Sequence, residues 1–595
     1  MNAARLNVLT MAALLVAVGS SPGLPQASPH EPDSPPAISF REQAESSGIR
    51  FTHRTRDFRG LKDQVLEMFT SGGAAVAVDD FDGDGYDDVF LTSSAEDAPN
   101  ALLRNRGDGT FEDVTARAGV AGGNDENNIV SDALWFDYDN DGHSDLLVVR
   151  FGTSLLYRNE GQGRFSDVTA SSGLEQFANS IAAIAFDYDS DGRLDVLLGN
   201  YFAPSSLLDL EDPRVLPDNL DDAHNGGGVT LFRNLGGGKF ADRTEAAGLA
   251  NQKGWILDAG HGDFDNDGHP DLYLAGDYGT DRLYFNNGDG TFRDATQEGL
   301  GGFDTKKGMN AEVADYDNDG WLDVYVTNIT DEYMKECNML WRNNADGTFT
   351  DLSKETGTCN TLWGWGAKFA DFDNDGLQDL YAVNGLHSGS QENFIPILFE
   401  MLIQEPDFSD LRSWPDIEGR SWSGYQPSKL FHNLGAGLFR EMAAAAGVDS
   451  RLDGRGVAIA DFDRDGRLDM LVSNADQPVL YFRNTSVQAG DWLALRLVGD
   501  PAAGSNRDAI GSRVTLSHGS STQIREVQGG NGYAGQSSKV VHFGLADGQE
   551  AGNEVEITIR WPNGEIEKRS VPINRLTPLS QATKGDIPAN ERPAG

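Results

Sequence analysis

Short apolar runs alternate with Asp- and Gly-rich stretches along most of the chain. In one unit, ALWF (133–136) precedes the polar stretch DYDNDGHSD, and LLVV (146–149) follows it. Apolar runs of this length between turn residues predict buried strands. A second element follows in each unit: a strand ending in Asn, a Gly-rich turn and then Phe, as in LLYRNEGQGRF (155–165). Each unit therefore holds about four predicted strands, the content of one propeller blade.

The polar stretch is a nine-residue repeat, Asp-x-Asp-x-Asp-Gly-x-x-Asp, whose copies are numbered here loops 1 to 7. The copies are Asp80–Asp88, Asp137–Asp145, Asp187–Asp195, Asp263–Asp271, Asp315–Asp323, Asp371–Asp379 and Asp461–Asp469. They start 57, 50, 76, 52, 56 and 90 residues apart, so a period of about 50–57 residues carries insertions after loops 3 and 6. Repeats of this length are typical of propellers. We predict an all-β fold, a seven-bladed β-propeller with calcium-binding loops followed by a small β-rich C-terminal domain.

The seventh unit lacks its last strand, and the N-terminus supplies a matching one. Six units end their second hairpin with a phenylalanine, but the seventh stops at Leu480–Asn484. The segment Phe40–Gly48 has the same Phe-to-Gly spacing as Phe111–Gly119. We therefore predict that the N-terminal strand completes the last blade and closes the ring, which leaves no long exposed edge.

The loop aspartates form a set of hard oxygen ligands. Positions 1, 3 and 5 surround one point if the loop turns sharply, which glycine at position 6 allows. Position 7 offers a backbone carbonyl, and Asp at position 9 completes a set that suits Ca²⁺. No His or Cys stands at a ligand position of the repeat, which argues against Zn²⁺ or Cu²⁺, and Mg²⁺ demands stricter octahedral geometry. We predict up to seven Ca²⁺ ions, mainly structural. The predicted ligands, with position 7 acting through its carbonyl, are Asp80, Asp82, Asp84, Tyr86, Asp88, Asp137, Asp139, Asp141, His143, Asp145, Asp187, Asp189, Asp191, Arg193, Asp195, Asp263, Asp265, Asp267, His269, Asp271, Asp315, Asp317, Asp319, Trp321, Asp323, Asp371, Asp373, Asp375, Leu377, Asp379, Asp461, Asp463, Asp465, Arg467 and Asp469.

The charge balance agrees with a need for cations. The 595 residues contain 47 Lys and Arg against 93 Asp and Glu, which gives a formal net charge of −46. Such a chain repels nucleic acid and anionic lipid, so neither is expected as a main partner. Bare clusters of like charge would destabilise the loops, and divalent cations would relieve this repulsion.

The N-terminus predicts export. Residues 1–21 have a basic start, an apolar stretch and small residues, as in a signal peptide, although an uncleaved anchor is the alternative. Residues 22–37 form a Pro-rich linker, and no later stretch is long enough to span a membrane. The mature protein is therefore expected to be secreted or periplasmic. In such a compartment Cys337 and Cys359 favour a disulfide over two buried thiols.

The motifs together resemble known families. The seven loops with their flanking strands resemble the FG-GAP/VCBS repeats of integrin-α-type propellers. Residues 490–570 resemble the ASPIC/UnbV domain through the stretches AIGSRV, REVQGGNGY, HFGL and WPNG. The combination is similar to the cartilage acidic protein family and its bacterial relatives, which implies an extracellular calcium-binding interaction protein without transferring any catalytic residue.

These features give the predicted domains and the functional hypotheses. After the linker we expect the propeller at 38–487, the ASPIC/UnbV-like domain at 488–572 and a flexible tail at 573–595. Motifs of serine hydrolases, zinc proteases and phosphate-binding loops are absent from the sequence. The leading hypothesis is a secreted binding or adhesion module for an extracellular protein or glycan. The alternatives are an enzyme with a pocket at the propeller channel and a cell-envelope assembly scaffold. The insertions at 201–228 and 385–428 are either recognition loops or a cap over the channel.

Overall fold

The computed structural model describes residues 37–582, except 59–65, 67–69, 206, 208–215, 251–252, 303, 332–333, 405–409, 411–413, 416, 488–489, 520 and 547–552. The predicted signal peptide, nearly all of the predicted linker and the chain after residue 582 lie outside these residues. The fold is all-β, as predicted, with seven antiparallel four-stranded blades arranged as a propeller.

Each blade runs from a first strand, through its Asp loop, to a second strand and then a hairpin of third and fourth strands. Strand β1 is Phe40–Glu42, and the first three blades comprise β2 (Val76–Asp79), β3 (Asp88–Leu91), β4 (Ala101–Asn105) and β5 (Phe111–Asp113); β6 (Ile129–Phe136), β7 (Asp145–Thr153), β8 (Leu155–Asn159) and β9 (Phe165–Asp167); and β10 (Phe177–Phe186), β11 (Asp195–Phe202), β12 (Gly226–Gly236) and β13 (Lys239–Asp242). Blades 4 and 5 comprise β14 (Ile256–Gly262), β15 (Asp271–Gly276), β16 (Arg282–Asn286) and β17 (Phe292–Asp294); and β18 (Glu312–Ala314), β19 (Asp323–Val326), β20 (Met339–Asn343) and β21 (Phe349–Asp351). Blades 6 and 7 comprise β22 (Gly364–Ala370), β23 (Asp379–Asn384), β26 (Lys429–Asn433) and β27 (Phe439–Glu441); and β28 (Gly454–Ala460), β29 (Asp469–Asn474) and β30 (Leu480–Asn484) together with β1.

Short helices follow the fourth strands, and the blade 6 insertion adds a longer one. The α-helices are α1 (Thr115–Ala118), α2 (Thr169–Ser172), α3 (Thr296–Gly299), α4 (Ser353–Thr356), α5 (Ile395–Gln404) and α6 (Ala443–Ala446), and two 3₁₀ turns lie at Ser71–Gly73 and Pro501–Ala503. Helix α5 and strands β24 (Ser390–Asn393) and β25 (Arg420–Ser421) belong to the insertion after loop 6. Cys337 and Cys359 form a disulfide, which confirms the favoured alternative.

The predicted closure of the ring is confirmed. Strand β1 pairs antiparallel with β30, with Phe40 opposite Asn484 and Glu42 opposite Phe482. In every blade, the aromatic residue at position 2 of the loop contacts the phenylalanine that begins the fourth strand of the next blade. The pairs are Phe81–Phe165, Tyr138–Phe240, Tyr188–Phe292, Phe264–Phe349, Tyr316–Phe439, Phe372–Phe40 and Phe462–Phe111, with ring centroids 5.3–6.1 Å apart. Phe40 therefore occupies the place that its six repeat counterparts occupy in the other blades.

The C-terminal module forms two small sheets. Its strands are β31 (Trp492–Val498), β32 (Arg513–His518), β33 (Ser521–Glu526), β34 (Gly535–Gln536), β35 (Val541–Gly544), β36 (Glu554–Arg560), β37 (Ile566–Pro572) and β38 (Leu576–Ser580). The sheets have the orders β35-β31-β38 and β33-β32-β36-β37, while β34 leaves the module and pairs in parallel with β2 of the propeller.

A tail beginning at residue 573 was wrongly predicted. Strand β38 pairs in parallel with β31, from Leu576 opposite Ala494 to Ser580 opposite Val498. Its sequence, LTPLS, gives little strand signal because it contains a proline. Proline in sheets is largely confined to edge strands, and β38 lies at the edge of its sheet.

Residues 527–540 of the module, called the plug below, fill the propeller channel. Propeller blades present their first strands to the channel, and the plug bonds to, or beside, the first strand of all seven. Val76 N donates to Ala534 O (3.0 Å), Trp135 N to Gln536 Oε1 (2.7 Å), Ala185 N to Gly529 O (2.7 Å), Gly529 N to His261 Nε2 (3.0 Å), Gly532 N to Ala311 O (3.3 Å), Lys368 Nζ to Asn531 O, and Ser538 N to Ile459 O (3.0 Å). The plug backbone approaches the blades so closely that a Cβ on Gly529 would lie 1.8 Å from Ala185 O. The two parts of the chain therefore pack as one unit.

Candidate metal centres

Each Asp loop turns through two residues with positive φ. In loop 2 these are Asn140 (φ 60°) and Gly142 (φ 90°), at positions 4 and 6. Glycine at position 6 was predicted to permit this turn, whereas position 4 was not identified. Asn or Gly occupies position 4 in five loops, and both tolerate the left-handed region better than other residues do, so this signal was present in the sequence.

The loop backbone fixes the carboxylates at positions 1 and 9. In loop 2, Asp137 accepts the N–H groups of Asp141 (3.0 Å) and Gly142 (2.7 Å). Asp145 accepts Asn159 N on Oδ1 (2.7 Å) and Tyr138 N on Oδ2 (3.2 Å). Carboxylates held in this way lose little freedom on binding an ion.

The structure brings positions 1, 3 and 9 together in loops 1 to 4. In each of these loops one oxygen from each of the three aspartates lies within 4.8 Å of the other two; the sets are Asp80, Asp82 and Asp88; Asp137, Asp139 and Asp145; Asp187, Asp189 and Asp195; and Asp263, Asp265 and Asp271. The carboxylate at position 5 does not belong to these three-residue sets. In loop 2, Asp141 accepts His143 N on Oδ1 (2.9 Å) and Arg158 on Oδ2 (2.9 Å). At position 7 the side chain points to other partners, as Tyr86 does by stacking on Arg464.

One buried carboxylate oxygen in every loop has no hydrogen-bond donor. These atoms are Asp80 Oδ1, Asp139 Oδ1, Asp189 Oδ1, Asp263 Oδ1, Asp317 Oδ1, Asp373 Oδ1 and Asp463 Oδ1. A buried charged oxygen without a partner is strongly unfavourable. A cation at the centre of the loop would satisfy it, so the residues fit a hard divalent ion.

The electrostatics of the loops point the same way. Burial raises the pKa of Asp145 to about 9, with the nearby carboxylates of Asp137, Asp139 and Asp141 adding to the increase. Burial likewise raises the pKa of Asp88 to about 9 and that of Asp187 to about 7. Without a cation, these clusters therefore hold protons near neutral pH.

An arginine on the third strand orients positions 3 and 5 in most blades. Arg158 donates to Asp139 Oδ2 (2.9 Å) and Asp141 Oδ2 (2.9 Å), which leaves Asp139 Oδ1 facing the cluster. Such outer-shell contacts hold metal ligands in place. The equivalent arginines are Arg104, Arg233, Arg342 and Arg483. Blade 4 has Phe285 at this register, and blade 6 has His432.

A buried asparagine at the end of each third strand connects neighbouring loops. Asn286 Nδ2 donates to Pro270 O of loop 4 (3.1 Å) and to Tyr188 O of loop 3 (2.9 Å). The same two bonds recur for Asn105, Asn159, Asn234, Asn343, Asn433 and Asn484. The sequence pattern identifies this asparagine only as the end of a strand, because one of its two partners lies in another blade. The seven loops form one hydrogen-bonded ring.

Basic side chains of the C-terminal module reach the acidic loops. Arg496 pairs with Asp80 and with Asp87 (2.8 Å), and Arg560 pairs with Asp263. In these two loops, 1 and 4, the oxygen without a donor belongs to position 1 rather than position 3. The module therefore covers the face of the propeller that carries the loops.

A small cavity remains between the plug and the propeller. Its volume is about 170 Å³, and its lining includes Asp87, Glu312, Arg525 and Lys539. Several of these groups are already paired: Lys539 Nζ lies 2.8 Å from both Asp79 and Asp508. One alternative hypothesis placed an enzyme pocket at the propeller channel, and this cavity is the space that the plug leaves there.

Comparisons with known proteins agree with this architecture. Residues 502–585 match the family ASPIC and UnbV, and residues 80–148, 137–198, 263–326 and 329–382 match the FG-GAP-like repeat. The chain is thus an FG-GAP-repeat propeller with a C-terminal ASPIC and UnbV domain.

Among individual proteins, the chain is similar to cartilage acidic protein 1 of Xenopus tropicalis. The two are 29% identical over 263 residues, which are 39% of this chain and 39% of the relative, so the match spans about two fifths of that relative's length. A solved lectin from Agrocybe aegerita that recognises non-reducing terminal N-acetylglucosamine is 18% identical, covers 68% of this chain and 86% of its own, and has a TM-score of 0.35. A rhamnogalacturonan lyase of Bacillus licheniformis is 12% identical, covers 76% of this chain and 78% of its own, and has a TM-score of 0.36. In the described part of the chain, no helix is both long and apolar enough to cross a membrane.

Proposed function

We propose that the protein is an exported calcium-binding propeller that acts as an extracellular binding or adhesion module. The observation that carries this proposal is the buried carboxylate oxygen without a donor in each of the seven loops. The remaining converging donors in loops 1 to 4 are carboxylates, the ligand type that Ca²⁺ prefers. Ca²⁺ is therefore proposed for every loop except loop 6, where His432 lies beside the carboxylates.

The role proposed for calcium is structural. Each loop joins the first and second strands of its blade, and the buried asparagine ties it to the preceding loop. An ion bound there stabilises the strand pair and, through the asparagine, the adjoining blade. Binding to the folded state alone would raise stability by mass action.

Export is supported by the disulfide between Cys337 and Cys359, because such bonds persist in oxidising compartments. Residues 1–21 have the sequence pattern of a signal peptide. A secreted or periplasmic location is therefore proposed.

The surface proposed for recognition is the face opposite the Asp loops. The module covers the loop face and the plug fills the channel, whereas both insertions connect second to third strands at the other end of their blades. Part of the blade 6 insertion is structural, since Trp422 is buried and contacts Trp363 and Phe394. Among the described residues of this insertion, Tyr425 presents a large side chain to solvent, with 46% of its surface exposed.

The proposal is tested by screening the calcium-loaded protein against extracellular glycans and matrix proteins. Saturable binding without product is expected, and Tyr425→Ala should weaken it. Ile566→Ala, which alters another exposed apolar residue on the C-terminal module, is the matched control. Accumulation of a cleaved product would instead favour the enzyme hypothesis, and absence of binding across both classes would contradict the proposal.

A further inference from the structure

Loop 6 differs from the other loops in the residue that faces it from the third strand. The register is the same in all blades, because the residue before the buried asparagine lies beside positions 3 and 5 of the loop. This residue is arginine in five blades and Phe285 in blade 4, but His432 in blade 6. A guanidinium has no lone pair to give a metal, whereas a neutral imidazole is a common metal ligand.

His432 and two loop aspartates form a cluster with mixed donors. Ligand atoms of His432, Asp373 and Asp375 all lie within 4.8 Å of one another. His432 Nε2 is 3.3 Å from Asp373 Oδ2, which matches the separation of about 3.3 Å expected for two ligands that bind one zinc ion tetrahedrally at about 2.0–2.1 Å. The spacing is therefore that of two ligands around a shared ion.

One atom of His432 and one of Asp373 lack hydrogen-bond partners. Although His432 Nε2 is close to Asp373, the contact is not aligned as a hydrogen bond, and the nitrogen is buried without any other partner. Asp373 is 8% exposed, and its Oδ1 likewise has no donor. In blade 2 the corresponding Asp139 Oδ2 has an aligned bond from Arg158 at 2.9 Å. His432 therefore does not reproduce the hydrogen bond that arginine makes in the other blades. Two buried atoms, His432 Nε2 and Asp373 Oδ1, remain available as metal ligands.

We propose that loop 6 is a transition-metal site, with Zn²⁺ as its occupant, bound by His432 Nε2 together with the carboxylates of Asp373 and Asp375. Imidazole nitrogen favours Zn²⁺ and its first-row neighbours, whereas sites built only from oxygen favour Ca²⁺ and Mg²⁺. The proposal concerns loop 6 alone and does not depend on calcium occupancy of the other loops. His432 lies 53 residues beyond the end of loop 6, so the ligand spacing within the repeat gives no sign of it.

The test is a calorimetric titration of Zn²⁺ into metal-stripped full-length protein in the presence of millimolar Ca²⁺. Wild-type protein is expected to bind one Zn²⁺ that calcium does not displace. His432→Arg should weaken this binding by at least about 100-fold, because the imidazole donor is lost. This variant installs the residue found in five other blades, so it is expected to fold, and its melting temperature in Ca²⁺ is the check.

A gain-of-site variant and a spectroscopic probe complete the test. Arg342→His places histidine at the same register of blade 5 and should add a second Zn²⁺ equivalent. Co²⁺ should give visible absorption bands of a nitrogen-ligated ion in wild type, and these bands should disappear in His432→Arg. Equal zinc affinity in wild type and His432→Arg, or displacement of Zn²⁺ by millimolar Ca²⁺, would overturn the proposal whatever the calcium content of the other loops.

Discussion

Replacing Asn286 by alanine should destabilise the ring far more than replacing its neighbour Asn287. Asn286 is 3% exposed and connects loops 3 and 4 through its two bonds to Tyr188 O and Pro270 O. Its Oδ1 also accepts Gly288 N (3.0 Å). Asn287 is exposed, and its side chain bonds only within its own turn, to Thr291.

The expected magnitude follows from the groups that lose their partners. Asn286→Ala leaves the buried carbonyl of Tyr188 and the half-buried carbonyl of Pro270 without this bond, and each such loss costs about 1–3 kcal/mol, whereas the exposed Gly288 N–H can bond to water. The free energy of unfolding should therefore fall by about 2–6 kcal/mol. Asn287→Ala should change it by no more than about 0.5 kcal/mol, as is usual for an exposed substitution.

The assay is urea unfolding of both variants and the wild type, in excess Ca²⁺ and again in chelator. Because Asn286 joins two loops, its loss should also weaken calcium binding at two sites rather than one, which a competition titration with a calcium indicator measures. If Asn286→Ala and Asn287→Ala have equal unfolding midpoints, the asparagine does not couple the blades. If only one calcium site weakens, the link between loops 3 and 4 has no effect on binding.

Four further outcomes are expected. Asp317→Ala removes the loop 5 oxygen that has no donor, so metal analysis should find one Ca²⁺ fewer than in the wild type, and an unchanged calcium content would contradict the assignment. Chelation should lower the melting temperature of the wild type markedly. Phe40→Ala should cost about 3–5 kcal/mol of stability, because its buried ring fills the space beside Phe372 where the propeller ring closes. Arg41→Ala, on the exposed face of β1, should be nearly neutral. Equal effects of the two variants in denaturant unfolding would refute the stabilising role of Phe40 at the closure. Burial lowers the pKa of His53 to about 4, with Asp476 opposing the shift and Arg455 adding to it. The contribution of neutral His53 to the free energy of unfolding is therefore complete above about pH 6.5 and is lost as the pH falls toward 4. Between pH 7 and 5 the free energy of unfolding of the wild type should fall by about 2 kcal/mol more than that of His53→Gln, and equal losses would exclude the effect.

The repeated local features of the fold were predictable from the sequence. The nine-residue spacing predicted the loops, and the apolar runs on either side predicted the strands. The Phe-to-Gly spacing of Phe40–Gly48 predicted the closure, because every blade uses the same phenylalanine for the same contact. A repeat presents each of its contacts several times, so a pattern in one blade can be checked against the others.

The contacts of the C-terminal module were missed because each occurs once and joins distant parts of the chain. The plug binds blades that are more than 300 residues away in sequence, as the pairing of Trp135 with Gln536 illustrates. Arg496 and Arg560 reach loops 1 and 4, but nothing in the periodicity marks them among the other basic residues. Predicting such contacts requires the docked arrangement of both parts, which a single sequence does not provide.

The plug makes the C-terminal module part of the propeller's stability. Six of the bonds that link the plug to the seven first strands use backbone groups of the plug, and the side chains of Tyr533, Gln536 and Ser537 add further bonds to the blades, so binding depends in large part on the path of the plug backbone. This accounts for the glycines of the sequence VQGGNGYAG, since close backbone approach excludes a Cβ at Gly529. The basic residues of the module lie on the acidic loop face, so its arginines offset part of the charge of the loops. The loop face and the channel are thereby occupied by the module, which is why the opposite face is the one proposed for recognition.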